Sequence, residues 1–244
     1  MKEILQDIVS HTRNLGFLNV VKITGDKKTT KIDSMADDRS VILFAQTNDP
    51  YPGMSGVFGM PQLNKLKFLL DCNEYKENAK ITVTKQKDHD GEDVPSGIHF
   101  ENKTGDFKND YRFMSTAVIN DQLKNVKMKP VKWGVEVVPT NASIQKLKFQ
   151  SQAHSDATAF SSKTENGELK FFFGDHSTHS GNFVFHPDVN GTLSKAWQWP
   201  VKVFLSIMDL TGDKMVRFTD AGAAEVTIDS GLANYRYLLP AQAK

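Results

Sequence analysis

Cysteine is almost missing from this chain: Cys72 is the single one in 244 residues. That excludes an intrachain disulfide and points to a reducing compartment such as the cytoplasm. No apolar run approaches the roughly eighteen residues a membrane-spanning helix needs. The opening MKEILQDIVSHTRN breaks its apolar pattern with Glu3 and Asp7. A secretory leader would instead carry a basic end and an unbroken apolar stretch. Charge of one sign is also lacking: 30 Lys and Arg stand against 29 Asp and Glu, a net charge of +1. Proteins that grip nucleic acid by neutralising many phosphates carry a clear basic excess. If this chain works on DNA, affinity alone does not hold it there.

Catalytic signatures are absent as well. There is no Gly-rich phosphate loop, no G-x-S-x-G elbow and no H-E-x-x-H. His176, His179 and His186 cluster without an acidic or cysteine partner pattern, which argues against a metal site. Asp88, Asp90, Glu92 and Asp93 do not match the spacing of a calcium loop, since Gly91 falls at the wrong place. Cys72 follows an apolar helix and reads as a small buried residue. Neither an enzyme nor a cofactor is expected.

What is present is a strand-rich globular chain, 39% hydrophobic and 24% charged, long enough for two domains. Ile4, Leu5, Ile8, Val9, Thr12 and Leu15 share one face of a first helix, ended by Gly16. Strands are predicted at LNVVKIT, RSVILFAQ and SGVFGM. Pro61 then suits the first turn of a helix, PQLNKLKFLLD. AKITVTKQ, SGIHFEN and DYRFMSTAV read as further strands. INDQLKNVKMKPVK has no clean period and reads as a connector. WGVEVVP is a strand, and Thr140 or Asn141 can cap the helix ASIQKLKFQSQ. DATAFSSK and ELKFFFGD are joined by a turn at Glu165-Asn166-Gly167. GNFVFHP, AWQWPV, DKMVRFTD, AAEVTID and ANYRYLLP complete the strands, with a short helix at VKVFLSIMDL. Both halves thus run helix, strands, helix, strands, as in a duplication. The expected boundaries are 1–118, a connector 119–132, and 133–244.

One phrase occurs twice. LNKLKF, Leu63 to Phe68, returns as IQKLKF, Ile144 to Phe149. On a helical wheel Leu63, Leu66, Leu69 and Leu70 form the inner face of the first copy. Asn64, Lys65, Lys67 and Asp71 lie outside, with Phe68 among them. The second copy puts Ile144 and Leu147 inward. Gln145, Lys146, Lys148 and Gln152 face out, again with a phenylalanine, Phe149. A solvated helix face often carries lysine, but the repetition suggests a shared task.

In this order of elements, NDYRFMSTAVINDQLKNV, ENGELKFFFGD and GAAEVTIDSGLANYRYLLPA resemble stretches of the DNA polymerase sliding clamps. The trimeric clamp of tailed phages is the nearest look, and proliferating cell nuclear antigen (PCNA) a more distant one. The resemblance implies an α+β DNA-clamp fold: two similar domains of curved antiparallel sheets, closing as a six-domain homotrimeric ring with helices around the hole. It implies a processivity factor that encircles double-stranded DNA without sequence preference, tethers the DNA polymerase and is loaded by a clamp loader. A role in phage late transcription is implied by the family alone. Lys65, Lys67, Lys146 and Lys148 would face DNA, with Lys2, Arg13 and Lys202 as further candidates. Tyr111 and Phe113 would meet Lys170, Phe171, Phe172 and Phe173 of the next subunit along strand edges. Leu123, Val126 and Met128 of the connector, with Tyr237, Leu238, Leu239 and Pro240 of the tail, would line a pocket for partner peptides. The alternative is a β-rich phage structural or carbohydrate-binding protein, whose site would be built on Trp133, Trp197 and Trp199. Alternation of Trp197 and Trp199 on a strand favours packing instead.

Overall fold

The computed structural model describes residues 1–87, 91–124, 130–174 and 179–242. The chain divides into two compact units. The first is Met1–Lys127 with Ser230–Tyr235, and the second is Met128–Asp229 with Arg236–Lys244.

In the first unit a helix α1 (Lys2–His11) precedes four strands, β1 (Val21–Gly25), β2 (Thr30–Met35), β3 (Ile42–Thr47) and β4 (Gly56–Met60). Helix α2 (Leu63–Asp71) follows, then β5 (Lys80–Lys87), β6 (Asp93–Glu101), β7 (Lys108–Arg112) and a short helix α3 (Thr116–Gln122). The strands pair antiparallel in the orders β4-β1-β2-β3 and β5-β6-β7.

The second unit begins with β8 (Val135–Val137) and helix α4 (Asn141–Ala153). Strands β9 (Ala159–Glu165), β10 (Glu168–Phe173), β11 (Gly181–His186) and β12 (Trp197–Pro200) come next. Helix α5 (Val201–Met208) leads to β13 (Asp213–Thr219), β14 (Ala223–Asp229) and the last strand, β15 (Ala233–Pro240). The order β12-β9-β10-β11 repeats β4-β1-β2-β3, each following one helix and preceding another. The duplication read from the order of elements is therefore a duplication of topology.

Local chemistry explains the element ends. Gly16 stops the first helical segment in the left-handed region, φ 86°. Thr140 caps α4 in a reciprocal box with Ser143, each side chain accepting from the other's backbone N–H. Asn166 and Gly167 both have positive φ and turn β9 into β10. Pro61 lies just before α2 rather than in its first turn, because Gln62 is the N-cap.

Three readings need correction. β2 is absent from the expected strands, because Thr30–Met35 alternates buried and open residues with only Ile32 and Met35 as large apolar side chains. The stretch DYRFMSTAV is strand only to Arg112; α3 then starts after Ser115. Ile119 of α3 is buried against Gly59 of β4, where even a Cβ would meet it at 2.9 Å. The third concerns ELKFFFG, expected at a sheet edge. β10 is internal, paired with β9 on one side and β11 on the other. Phe171 and Phe173 are buried there, in a ring cluster with Phe160, Phe185 and Phe204.

A buried polar knot fastens the last residues of the first unit to α1. Asp7 accepts from the hydroxyls of Tyr235 (2.7 Å) and Ser230 (2.9 Å), and His11 lies 3.2 Å from its carboxylate. The His11 ring stacks on Tyr235 at 4.2 Å. Burial pushes the Asp7 pKa up, but His11, Tyr235 and Ser230 together outweigh it and hold the carboxyl below its ordinary 3.8. A depressed carboxylate stabilises the fold above the unfolded-state pKa and loses that contribution as pH falls through the folded value. Asp7→Ala is expected to cost about 1.5–3 kcal/mol at pH 7, the range for hydrogen bonds to a charged group. In urea titrations the gap between variant and parent should narrow at pH 3; an equal gap at both pH values would refute the assignment.

Candidate DNA-facing helices and partner surfaces

The repeated phrase splits its residues the same way in both helices. In α2, Leu63, Leu66 and Leu70 are buried and Leu69 is half-buried. In α4, Leu147 and Ser143 are buried, while Ile144 is only half-buried. α2 packs beside α1 and β7, and α4 packs on β11. The latter approach is close: a Cβ on Gly181 would come within 2.6 Å of His154 at the end of α4.

The lysines are not equivalent. Lys67 is ion-paired to Asp71 one turn on, and Lys148 to Asp209 at 2.6 Å. Lys65 and Lys146 are exposed, and their ammonium groups have no hydrogen-bond or ion-pair partner among the described residues. Of the weaker candidates, Lys2 donates to the Tyr75 carbonyl at 2.6 Å and Arg13 donates to the Asn64 side chain. Lys202 is exposed on α5. The expected set of seven cations thus reduces to Lys65, Lys146 and Lys202 as unengaged charges.

The strand edges are also clear. β7 ends the three-stranded sheet of the first unit, and β11 ends the four-stranded sheet of the second. Tyr111, expected at an interface, is buried, and its hydroxyl donates to the Pro61 carbonyl. That burial pushes its pKa up. Phe113 is half-buried and stacks on Phe58 at 4.2 Å. Beside it a cleft of about 530 Å³ is lined by Val57, Val94, Pro95, Arg112, Phe113 and Met114, among others. Lys170 and Phe172 are half-buried on the internal strand β10. On β11, Phe183 is half-buried, edge-on to Phe171. Sequence reasoning missed β11 as the edge, because the apolar density of ELKFFF outweighs that of GNFVFH.

The peptide-pocket set is corrected in a similar way. Tyr237 and Leu239 are fully buried, so neither lines an open surface. Leu238 is half-buried and Pro240 exposed. Leu123 is half-buried at the end of α3, its N–H donating to the Ile119 carbonyl. Val126 and Met128 lie outside the described residues, as do Asp88, Asp90 and His176. No group of metal-ligating side chains occurs among the described residues. Trp199 is buried with its N–H on Ser162, and the Trp197 N–H donates to the Asp220 carbonyl. Both indoles are thus anchored within the second unit.

Two solved structures are similar over nearly the whole chain. PCNA from Thermococcus kodakaraensis matches at a TM-score of 0.69 and 9% identity, covering 98% of this chain and 97% of that one. This chain has the sliding-clamp fold. A. fulgidus PCNA, solved with the C-terminal region of FEN-1 bound, matches at a TM-score of 0.69 and 9% identity over 100% of this chain and 95% of that one. No family model and no curated protein matches the sequence. At 9% identity the clamp likeness is one of architecture, carried by packing rather than by shared motifs. No described helix is long and apolar enough to cross a membrane.

Burial separates the two leucines of the last strand. Leu239→Ala should cost about 2–5 kcal/mol, as for other buried leucines. Leu238→Ala should cost less than half as much in the same urea titration. Similar midpoints for the two variants would contradict the burial assignment.

Proposed function

We propose that this chain is a sliding clamp: three copies close a six-domain ring around duplex DNA and tether a replicative polymerase. The likeness to PCNA across both units is the observation that carries this reading. A clamp loader would open and place the ring. A tailed-phage source, residence in the bacterial host's cytoplasm and a second use in late transcription are further parts of the proposal, resting on the sequence resemblance. The expected connector, 119–132, overlaps α3 at its start, so the stretch that follows α3 would join the two units of one chain. The ring is not an enzyme, and what it supplies is topology.

Ring closure needs two complementary edges, and each unit can supply one from its sheet ends. β7 of one copy would pair with β11 of the next, head to tail, a heterologous contact that closes when the rotation fits. An uncovered edge invites aggregation, and half-buried Phe113 and Phe183 lie near these edges. Near-neutral net charge also fits. A threaded ring stays on DNA without strong phosphate contacts, and few unengaged lysines leave it free to slide. For partner peptides, Leu123, Leu238 and Pro240 are the members of the expected pocket that reach the surface among the described residues. Three such sites on one ring would raise a weak peptide affinity by avidity.

In an antiparallel strand successive N–H groups point to opposite sides. Proline placed at Asn182 and, separately, at Phe183 therefore removes an outward donor in one of the two variants. The parent should sediment at three times 27.3 kDa, and one proline variant should sediment as monomer. Trimers from both variants would place the interface elsewhere. Lys65→Glu with Lys146→Glu should lower polymerase processivity on primed circular DNA while leaving the trimer mass unchanged; full processivity at moderate salt would remove these lysines from the DNA path.

A further inference from the structure

The repeated phrase leaves one residue unexplained in each helix. Phe68 is 76% exposed and Phe149 is 67% exposed, the two most exposed large apolar side chains among the described residues. A lone surface phenylalanine needs no account. Here the placement recurs with its surroundings. In α2, Asn64, Lys65 and Phe68 fall at i, i+1 and i+4; in α4, Gln145, Lys146 and Phe149 do the same. Residues three and four apart on a helix are neighbours, so each ring sits beside one unengaged ammonium and one amide. Duplication of the chain does not account for this. α2 follows the four-strand run of its unit and α4 precedes the corresponding run, so the helices are not counterparts.

A pure protein-docking face would gather apolar groups. These faces instead join one ring to a cation and an amide, with polar or charged residues around them. A phosphodiester backbone presents a matching surface: an anionic oxygen for the lysine, and the apolar C–H face of the deoxyribose for the ring. We propose that Phe68 and Phe149 pack against the sugars of the encircled duplex, beside the phosphates that Lys65 and Lys146 approach. This rests on the ring reading and deepens it. Sugar contacts carry no sequence information, and an apolar contact releases no counterions. Phe68 and Phe149 would keep the duplex seated at salt concentrations where two lysines alone lose hold.

The probe is a fluorescent 30-base-pair duplex titrated with the full-length chain across a salt series, with a single-stranded 30-mer in parallel. Phe68→Ala with Phe149→Ala should weaken duplex binding about tenfold at every salt concentration and leave the slope of log affinity against log salt unchanged. Lys65→Ala with Lys146→Ala should flatten that slope by about 0.9 for each phosphate no longer neutralised. Phe68→Lys with Phe149→Lys should steepen it. Both rings lie outside the core, so thermal midpoints should match the parent, which separates weakened binding from unfolding. Unchanged duplex affinity in the alanine pair overturns the proposal and leaves the ring reading standing. So does a loss confined to the single strand, which would make the rings base-stacking platforms, or a loss of self-association, which would assign them to a second copy. No duplex binding by the parent at low salt overturns the proposal alone, since a threaded ring needs no affinity for free duplex; the ring reading falls instead with a monomeric sedimentation mass of the parent.

Discussion

Each long helix can bury only one stripe, and the rest of its surface follows from that. Leu63, Leu66 and Leu70 must leave water, and a leucine-sized side chain contributes about 1.5–3 kcal/mol in doing so. With that stripe inward, the rotation of α2 is settled. Asn64, Lys65 and Phe68 then face away because 100° per residue leaves them nowhere else. α4 does the same with fewer buried side chains, and the stop is set at its end by Gly181, where β11 and the helix approach too closely for a Cβ.

The sheets obey a second constraint, that backbone donors and acceptors must be paired or wet. Antiparallel ladders satisfy this for every strand but the outermost. The apolar residues of β10 are safe because neighbours on both sides complete its hydrogen bonds. β7 and β11 have no such cover within their own sheets. Open backbone and half-buried rings therefore coincide at the places where the fold has most to gain from a partner.

Charge adds little grip, and the pairing of lysines explains how. Lys67 and Lys148 are neutralised by nearby aspartates, and Lys2 is turned toward a carbonyl. Exposed ion pairs of this kind contribute about 0.2–1 kcal/mol, so their larger effect is on the field outside the helix. They remove two positive charges from faces that the sequence marks as basic. In the second unit Glu225 is buried between Arg217 and Arg236, and Arg217 also pairs with Glu136 at 2.7 Å, so two carboxylates stand against two guanidinium groups.

Much of the fold was legible in the sequence because local chemistry dictated it. The leucine period of α2, the Thr140 cap, the Asn166-Gly167 turn and the alternation of ANYRYLLP each determine an element without outside help. The clamp fold was expected from the resemblance of NDYRFMSTAVINDQLKNV, ENGELKFFFGD and GAAEVTIDSGLANYRYLLPA to that family. Other features required contacts far along the chain. α3 begins after Ser115, where the apolar run through Phe113 reads as strand, and Ile119 finds its place only against Gly59. Whether ELKFFF is edge or centre depends on β11 adding to it. Tyr237 and Leu239 read as a half-open tail but are enclosed in the core. Lys148 reads as free until Asp209, sixty-one residues later, arrives beside it. Sequence alone determined which faces are apolar, since periodicity is a property of neighbouring residues. Tertiary structure decided which of those faces stay open, because burial and charge pairing depend on what comes to lie opposite.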